Sequence, residues 1–365
     1  MTTAARIAVL PAGPGPLRID DVVLPDPGPR QVVVRQFASG VCHSQLHQMH
    51  GPRQAPTVLG HESTGVVLAA GREVSHVGEG DRVMVTWVPR RPEEAGRSPE
   101  SARLPLPDGT TAVSQNVFTW ADHTIADEQF VVALPDDVKT DVTSIIGCAV
   151  MTGAGAVRNT AGVRRGESVA VFGVGGVGLS AVVAARVVGA DPIIAVDLRD
   201  DKLEMARRFG ATETVNASAG DAVARVRELT ADPNLVDMLG RPVGGVDYAF
   251  DCIGVKATME QIVPAARSGV LGAARGGAGV LVGVPRGSVE LNAIDMLVNE
   301  KRFVASLGGS CQPERDFPVF LDWYRDGRLD LDALVTARYA LEDINEATTD
   351  LEEGRIFGRS ILVFD

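Results

Sequence analysis

The sequence predicts an α/β protein built from an antiparallel β domain and a doubly wound parallel sheet. Three observations carry that prediction. The chain has 365 residues, enough for two domains at roughly 100–200 residues each. Up to residue 85 the apolar residues fall in short valine-rich runs bounded by Gly, Pro or Asp, as strands and turns do. From residue 150 such runs alternate with helical stretches, the rhythm of parallel strands joined by crossover helices.

The elements follow in order. Arg6–Leu10, Gln31–Phe37, Ser63–Ala70 and Arg82–Val88 read as strands. Residues 89–112 interrupt them with a polar, proline-rich stretch beginning Pro89-Arg-Arg-Pro-Glu-Glu, which reads as an exposed excursion or lobe. Ser168–Phe172 is a strand, Gly178–Gly189 an Ala/Val-rich helix, Pro192–Asp197 a strand and Asp200–Phe209 an amphipathic helix. Thr214–Asn216, Val246–Asp251 and Gly279–Gly283 continue the sheet, with a helix over Ala219–Leu229. Beyond about 306 come turns, one helix (Phe317–Asp326) and a last strand, Ser360–Phe364. No internal repeat is present.

Composition narrows the function. Apolar residues make up 45% and charged residues 22%, as in an ordinary globular protein. Glycine supplies 40 of the residues, above the usual ~7%, which suits a fold with many close backbone approaches. The net charge of −12 with no basic cluster makes nucleic acid and anionic membrane poor partners. No run of ~18 apolar residues occurs, and the stretch Leu179–Ala190 is broken by Arg186. The segment from Met1 to Ile7 lacks the apolar core of a secretion signal. Four scattered cysteines, at 42, 148, 252 and 311, do not make a disulfide framework. A cytoplasmic location is therefore expected, where a cysteine is a metal ligand or a core residue.

The segment Val169-Ala-Val-Phe-Gly-Val-Gly-Gly-Val-Gly sets glycines at 173, 175 and 178. Gly173 serves the tight turn, Gly175 the approach of a pyrophosphate, and Gly178 the packing of helix on sheet. The helix that follows presents free N–H groups to phosphate. Asp197 ends the next strand, roughly 20 residues further on, where a carboxylate holds the ribose hydroxyls of NAD. Arg199 close by tempers the choice against NADP, since an arginine accepts a phosphate.

Cys42, His61 and Cys148 are residue types that bind zinc. Singly, each has a plainer reading: a small buried thiol or a hydrogen-bonded imidazole. Their contexts are Gly40-Val-Cys-His-Ser-Gln-Leu-His47, Leu59-Gly-His-Glu-Ser-Thr-Gly65 and Ile145-Ile-Gly-Cys148. With the Gly80-Asp-Arg-Val83 segment and the glycine fingerprint, the chain resembles the medium-chain, zinc-dependent alcohol dehydrogenases over nearly its whole length. The resemblance implies a GroES-like catalytic domain, residues 1–149 and 307–365, and a Rossmann domain, residues 150–306. It implies one catalytic zinc on Cys42, His61 and Cys148, with the fourth position left to water or substrate.

It implies further roles. Glu62 is the acid behind the zinc, Ser44 bonds the substrate oxygen, and His47 is the outer base of a proton relay. His43 and Arg359 face the pyrophosphate, and Lys202 lies near the adenosine ribose. Gly176, Val177, Cys252, Val282 and Val284 complete the cofactor contacts, although Cys252 and Cys311 are read chiefly as space-filling. Trp87 lines the substrate pocket. His50 and His76 match nothing and are expected to be solvated. The implied reaction is reversible hydride transfer between an alcohol and NAD, by a homodimer or homotetramer. Metal-free quinone or enoyl reductases of the same superfamily keep the glycines but lack the ligands. Dehydrogenases of formaldehyde–thiol adducts share the Gly-Val-Cys-His pattern.

Two departures matter. Many relatives bind a second, structural zinc through four cysteines in the lobe, but residues 88–118 contain none. One zinc per chain is expected, with the lobe held by other packing or left mobile. Many relatives also place an aspartate where Gln45 stands, hydrogen-bonded to the ligand histidine. Glutamine offers the bond without the charge that raises ligand basicity, so weaker zinc retention is expected.

Overall fold

A computed structural model describes residues 3–365. The chain falls into two units, Met1–Ala149 with Gln312–Asp365, and Val150–Cys311. The second unit thus runs past 306. Its last residues stay because Cys311 Sγ lies 3.3 Å from the Met151 carbonyl and Asn159 Nδ2 lies 3.4 Å from that of Gly309.

The first unit begins with β1 (Thr3–Leu10), β2 (Arg18–Leu24) and β3 (Gln31–Val41), then α1 (His43–His50). It continues through β4 (Thr57–Val58), β5 (Ser63–Ala70), β6 (Arg82–Val85), β7 (Arg103–Pro105), β8 (Thr111–Val113), β9 (His123–Asp127) and β10 (Val131–Ala133). The second unit holds α2 (Ala149–Gly155), β11 (Val169–Phe172), α3 (Gly176–Val188), β12 (Ile193–Asp197), α4 (Asp200–Phe209), β13 (Glu213–Asn216) and α5 (Ala222–Leu229). Then come β14 (Asp232–Val236), β15 (Pro242–Val243), β16 (Tyr248–Asp251), α6 (Lys256–Ala265), β17 (Ala278–Leu281), α7 (Ala293–Val298) and β18 (Arg302–Ala305). The returning segment adds α8 (Pro313–Arg325), α9 (Leu331–Leu334), β19 (Val335–Tyr339), α10 (Ile344–Glu352) and β20 (Arg359–Val363) to the first unit.

In the first unit one sheet has the order β2-β1-β4-β8-β7 and the other β10-β6-β5-β3-β20-β19, with β9 also paired to β3. Pairing is antiparallel except for β4 with β8 and β19 with β20. Strand β3 is buried along most of its length because β5, β9 and β20 all pair with it. Val32, Val34, Val67, Val83, Val85 and Phe130 form one apolar core. Ile7, Leu24, Val33, Leu104, Phe118 and Ile125 form another.

Residues 89–112 are more than an exposed excursion. Leu104, Leu106 and Ala112 are buried in the second of those cores, so β7 and β8 extend the β1 sheet. The lobe is also tied down by charge. Arg97 places Nη1 at 2.9 Å and Nη2 at 2.5 Å from the Asp127 carboxylate. Asp127 further accepts the N–H of Glu100 at 2.9 Å and of Gln129 at 3.0 Å. Arg90 reaches Glu94 at 2.5 Å and Glu314 at 3.4 Å.

The second unit carries a parallel sheet of order β13-β12-β11-β16-β17-β18, which in strand sequence is the 3-2-1-4-5-6 order of a dinucleotide-binding fold. Helix α4 shows why its residues fold this way. Leu203, Ala206 and Phe209 recur at helical spacing and are buried, Asp200 and Asp201 open it, and Arg207 and Arg208 close it, matching the helix dipole. The β14–β15 hairpin interrupts the alternation, with Leu235, Val236, Met238 and Leu239 exposed. Among the described residues, no helix is long and apolar enough to cross a membrane.

Candidate metal centre and nucleotide loop

Three chain reversals bring the centre together. Cys42 follows the end of β3 and caps α1, His61 and Glu62 precede β5, and Cys148 follows a 3-10 turn at Val142–Gly147. Because β3 and β5 pair antiparallel, Ser39 stands opposite Ser63, which sets Cys42 beside His61. Thr86 Oγ1 donates to the Gly147 carbonyl at 2.7 Å and holds the turn before Cys148.

One donor atom from each of Cys42, His61, Glu62 and Cys148 lies within 4.8 Å of the others. The two sulfurs are 3.9 Å apart, and His61 Nε2 is 3.2 Å from Cys148 Sγ. Tetrahedral zinc, with Zn–S about 2.3 Å and Zn–N about 2.0 Å, sets such atoms about 3.5–3.8 Å apart. The donor set therefore fits zinc in type and spacing. Hydrogen bonding to Cys148 pulls the Cys42 thiol well below its ordinary pKa despite burial. Cys148 rises correspondingly, through that bond and burial.

Glu62 is fully buried and its carboxylate pairs with the Arg359 guanidinium. Burial raises its pKa to about 7, with Arg359 opposing. Arg359 is itself buried: its side chain is 5% exposed and its partner is Glu62. Three residues that were not anticipated support the same corner. Ser39 Oγ donates to the Glu62 carbonyl at 3.1 Å, and Thr119 Oγ1 lies 2.8 Å from Ser39 Oγ. Trp120 Nε1 donates to the Gly40 carbonyl at 3.1 Å.

The other expected residues fall as follows. Ser44 Oγ donates to Cys42 Sγ at 3.2 Å, and His47 stands three residues on in α1, hence on the same face. His43 is exposed at the start of that helix. Gln45 is buried and its amide hydrogen-bonds His61 Nδ1. A His61 that offers Nε2 to a metal carries its proton on Nδ1. The amide then turns Oε1, which has no partner in this conformation, to accept it. The Trp87 ring lies 6.2 Å from that of His61. His50 is 58% exposed, as expected, but His76 is not solvated. It is half-buried with Nε2 3.0 Å from the Val131 carbonyl.

In the second unit, Gly173 has φ +85°. A Cβ on Gly178 would overlap the Gly173 carbonyl, whereas one on Gly175 would meet nothing within 4 Å. Only glycine suits the first two of these positions, and the third leaves the backbone face open. Gly176 begins α3, with Val177 next, and no side chain caps that helix, so its first N–H groups are those of an anion cradle. Asp197 Oδ2 accepts the N–H of Val174 at 3.0 Å, tying the strand-end acid to the glycine loop. Lys202 lies in the first turn of α4. Cys252, Val282 and Val284 lie just beyond β16 and β17, at the carboxyl ends of the sheet where ligands bind in such folds. Buried Asp251, which the sequence reading missed, organises that edge by accepting the N–H of Ile253 and Gly254 and the Thr258 hydroxyl.

The fold and the centre are those of a two-domain zinc dehydrogenase. Residues 28–136 match the model for an alcohol dehydrogenase GroES-like domain, and residues 176–326 that for a zinc-binding dehydrogenase. The chain is 33% identical to an alcohol dehydrogenase class-3 of Cereibacter sphaeroides, with all of both chains covered. It is 32% identical, over the same full coverage, to an S-(hydroxymethyl)glutathione dehydrogenase of Paracoccus denitrificans. Among solved structures it is similar to an alcohol dehydrogenase zinc-binding domain protein from Burkholderia ambifaria, with TM-score 0.87 and 30% identity over the whole of both chains. A benzyl alcohol dehydrogenase from Acinetobacter calcoaceticus gives TM-score 0.86 at 27% identity, again over both whole chains. The chain belongs to the medium-chain, zinc-dependent alcohol dehydrogenase family and is an oxidoreductase.

Proposed function

We propose that this enzyme transfers hydride reversibly between an alcohol and NAD, giving an aldehyde or ketone, with one catalytic zinc held by Cys42, His61 and Cys148. The observation that carries the reading is the convergence of two buried thiols and one imidazole with sulfurs 3.9 Å apart. Zinc when bound supplies a Lewis acid that acidifies an alcohol hydroxyl, and NAD a hydride acceptor. The protein does the rest. Ser44 Oγ receives the substrate hydroxyl proton, and His47, one helical turn on, is its outer acceptor. Glu62 and Arg359 neutralise each other behind the thiolates. Gln45 holds the His61 ring in its ligating tautomer. Trp87 bounds the space beside His61. His43 and Arg359 remain assigned to the pyrophosphate side, and Gly173, Gly175, Gly176, Val177, Gly178, Asp197, Lys202, Cys252, Val282 and Val284 to NAD. The two thiols require a reducing compartment, which supports a cytoplasmic enzyme, and a homodimer or homotetramer suits the family.

A second reading has its own support. Relatives named S-(hydroxymethyl)glutathione dehydrogenase match at 32% identity, so a thiol adduct of formaldehyde belongs among the substrates tested. The experiment is a panel of alcohols, aldehydes and S-(hydroxymethyl)glutathione with NAD and NADP on zinc-loaded protein, followed at NADH absorbance. Turnover of simple alcohols with NAD supports the first reading, and turnover of the adduct alone the second. Full activity in Cys148→Ala overturns both. His47→Gln is expected to lower turnover most at low pH, because hydroxide, the alternative proton acceptor, is scarcest there. A pH profile unchanged from the parent would remove His47 from the relay.

A further inference from the structure

Arg199 stands two residues beyond Asp197, where the chain leaves β12 and enters α4. In dinucleotide folds an arginine near this place accommodates the 2′-phosphate of NADP. Here the guanidinium is already engaged. Its Nε lies 3.0 Å from Asp201 Oδ1 and its Nη2 lies 2.6 Å from Asp201 Oδ2, a fork against a fork. The carboxylate is itself held, since Oδ1 also accepts the N–H of Lys202 at 2.8 Å. Asp197 is fixed as well, accepting the N–H of Leu198 at 2.8 Å and of Val174 at 3.0 Å. The turn thus presents two anchored carboxylates and a cation committed to one of them.

Resting on the NAD reading above, we propose that Asp201 is a second determinant of cofactor choice. It latches Arg199 and so withholds from a 2′-phosphate the guanidinium that would bind it. Asp197 repels the phosphate directly, and Asp201 acts by occupying the partner the phosphate needs. The Arg199 and Asp201 side chains are 42% and 48% exposed, so the latch is weak. Opening it therefore gains a 2′-phosphate no more than the latch itself is worth, up to about fivefold.

The test is direct binding to the full chain, measured by calorimetry without turnover. The probes are adenosine 5′-monophosphate and adenosine 2′,5′-bisphosphate, and the variants are Asp201→Asn and the double change Arg199→Gln with Asp201→Asn. The expected result is binding of the bisphosphate to Asp201→Asn tighter by about three- to fivefold, with the monophosphate unchanged and the gain abolished in the double variant. An unchanged ratio of the two probes in Asp201→Asn overturns the latch and leaves Asp197 as the discriminator. A gain that survives in the double variant also overturns it, because loss of a negative charge would then explain everything. If the parent protein binds neither probe, the nucleotide reading itself fails and the latch with it.

Discussion

Gly40 and Gln45 show how much single side chains decide at the centre. A Cβ at Gly40 would overlap the Glu62 carboxyl group, which cannot swing aside because Arg359 holds it. Gly40→Ala is therefore expected to destabilise the protein by about 1–3 kcal/mol, measured as a lower midpoint in urea with an unchanged slope. Gln45 bonds His61 through an uncharged amide. Gln45→Asp is expected to slow zinc loss to a chelator by about 10-fold or more, since a carboxylate raises the basicity of the ligand imidazole. Equal release rates for the two proteins would show that the hydrogen bond matters and the charge does not.

At the scale of elements, the lobe between β6 and β9 is the informative case. Where many relatives have four cysteines, this chain has an arginine on a carboxylate. Asp127 is wholly buried and gathers Arg97 and the N–H groups of Glu100 and Gln129. Burial pushes its pKa up, but those hydrogen bonds and the Arg97 charge outweigh it, and the carboxyl lies below its ordinary value. A folded pKa below the unfolded one means that the unfolded chain takes up the proton first. The contribution is whole above about pH 4 and is lost as pH falls through the folded value. Asp127→Asn is expected to cost about 3 kcal/mol near neutrality and progressively less below pH 4. Denaturant unfolding at several pH values checks this, and a cost that stays constant down to pH 2 would remove the carboxylate's charge from the account.

For the whole molecule, the expected zinc content is one per chain by native mass spectrometry, falling to near zero in Cys148→Ala. Zinc at about 100 times its dissociation constant adds about 2.7 kcal/mol. For the unit that carries the centre this is a rise in Tm of roughly 5–10 °C, absent in the variant. A second bound equivalent in the parent would mean that the lobe holds metal through residues other than cysteine.

The glycine fingerprint, its strand–helix setting and the amphipathic pattern of Asp200–Phe209 were legible because they are local: 3.6-residue periodicity and backbone sterics act within a few residues. The second domain's class followed from that alternation, and the candidate metal ligands from residue type together with family resemblance. The β14–β15 hairpin, the burial of β7 and β8 and the half-buried His76 were not legible, because a short polar segment carries no sign of what packs on it. The Glu62–Arg359 pair spans 297 residues of chain, and no local signal reports such a partner. Sequence alone therefore determined which residues have the chemistry. Tertiary structure decided which of them meet, because β3 pairs at once with β5 and β20 and so carries Glu62 and Arg359 to the same buried place.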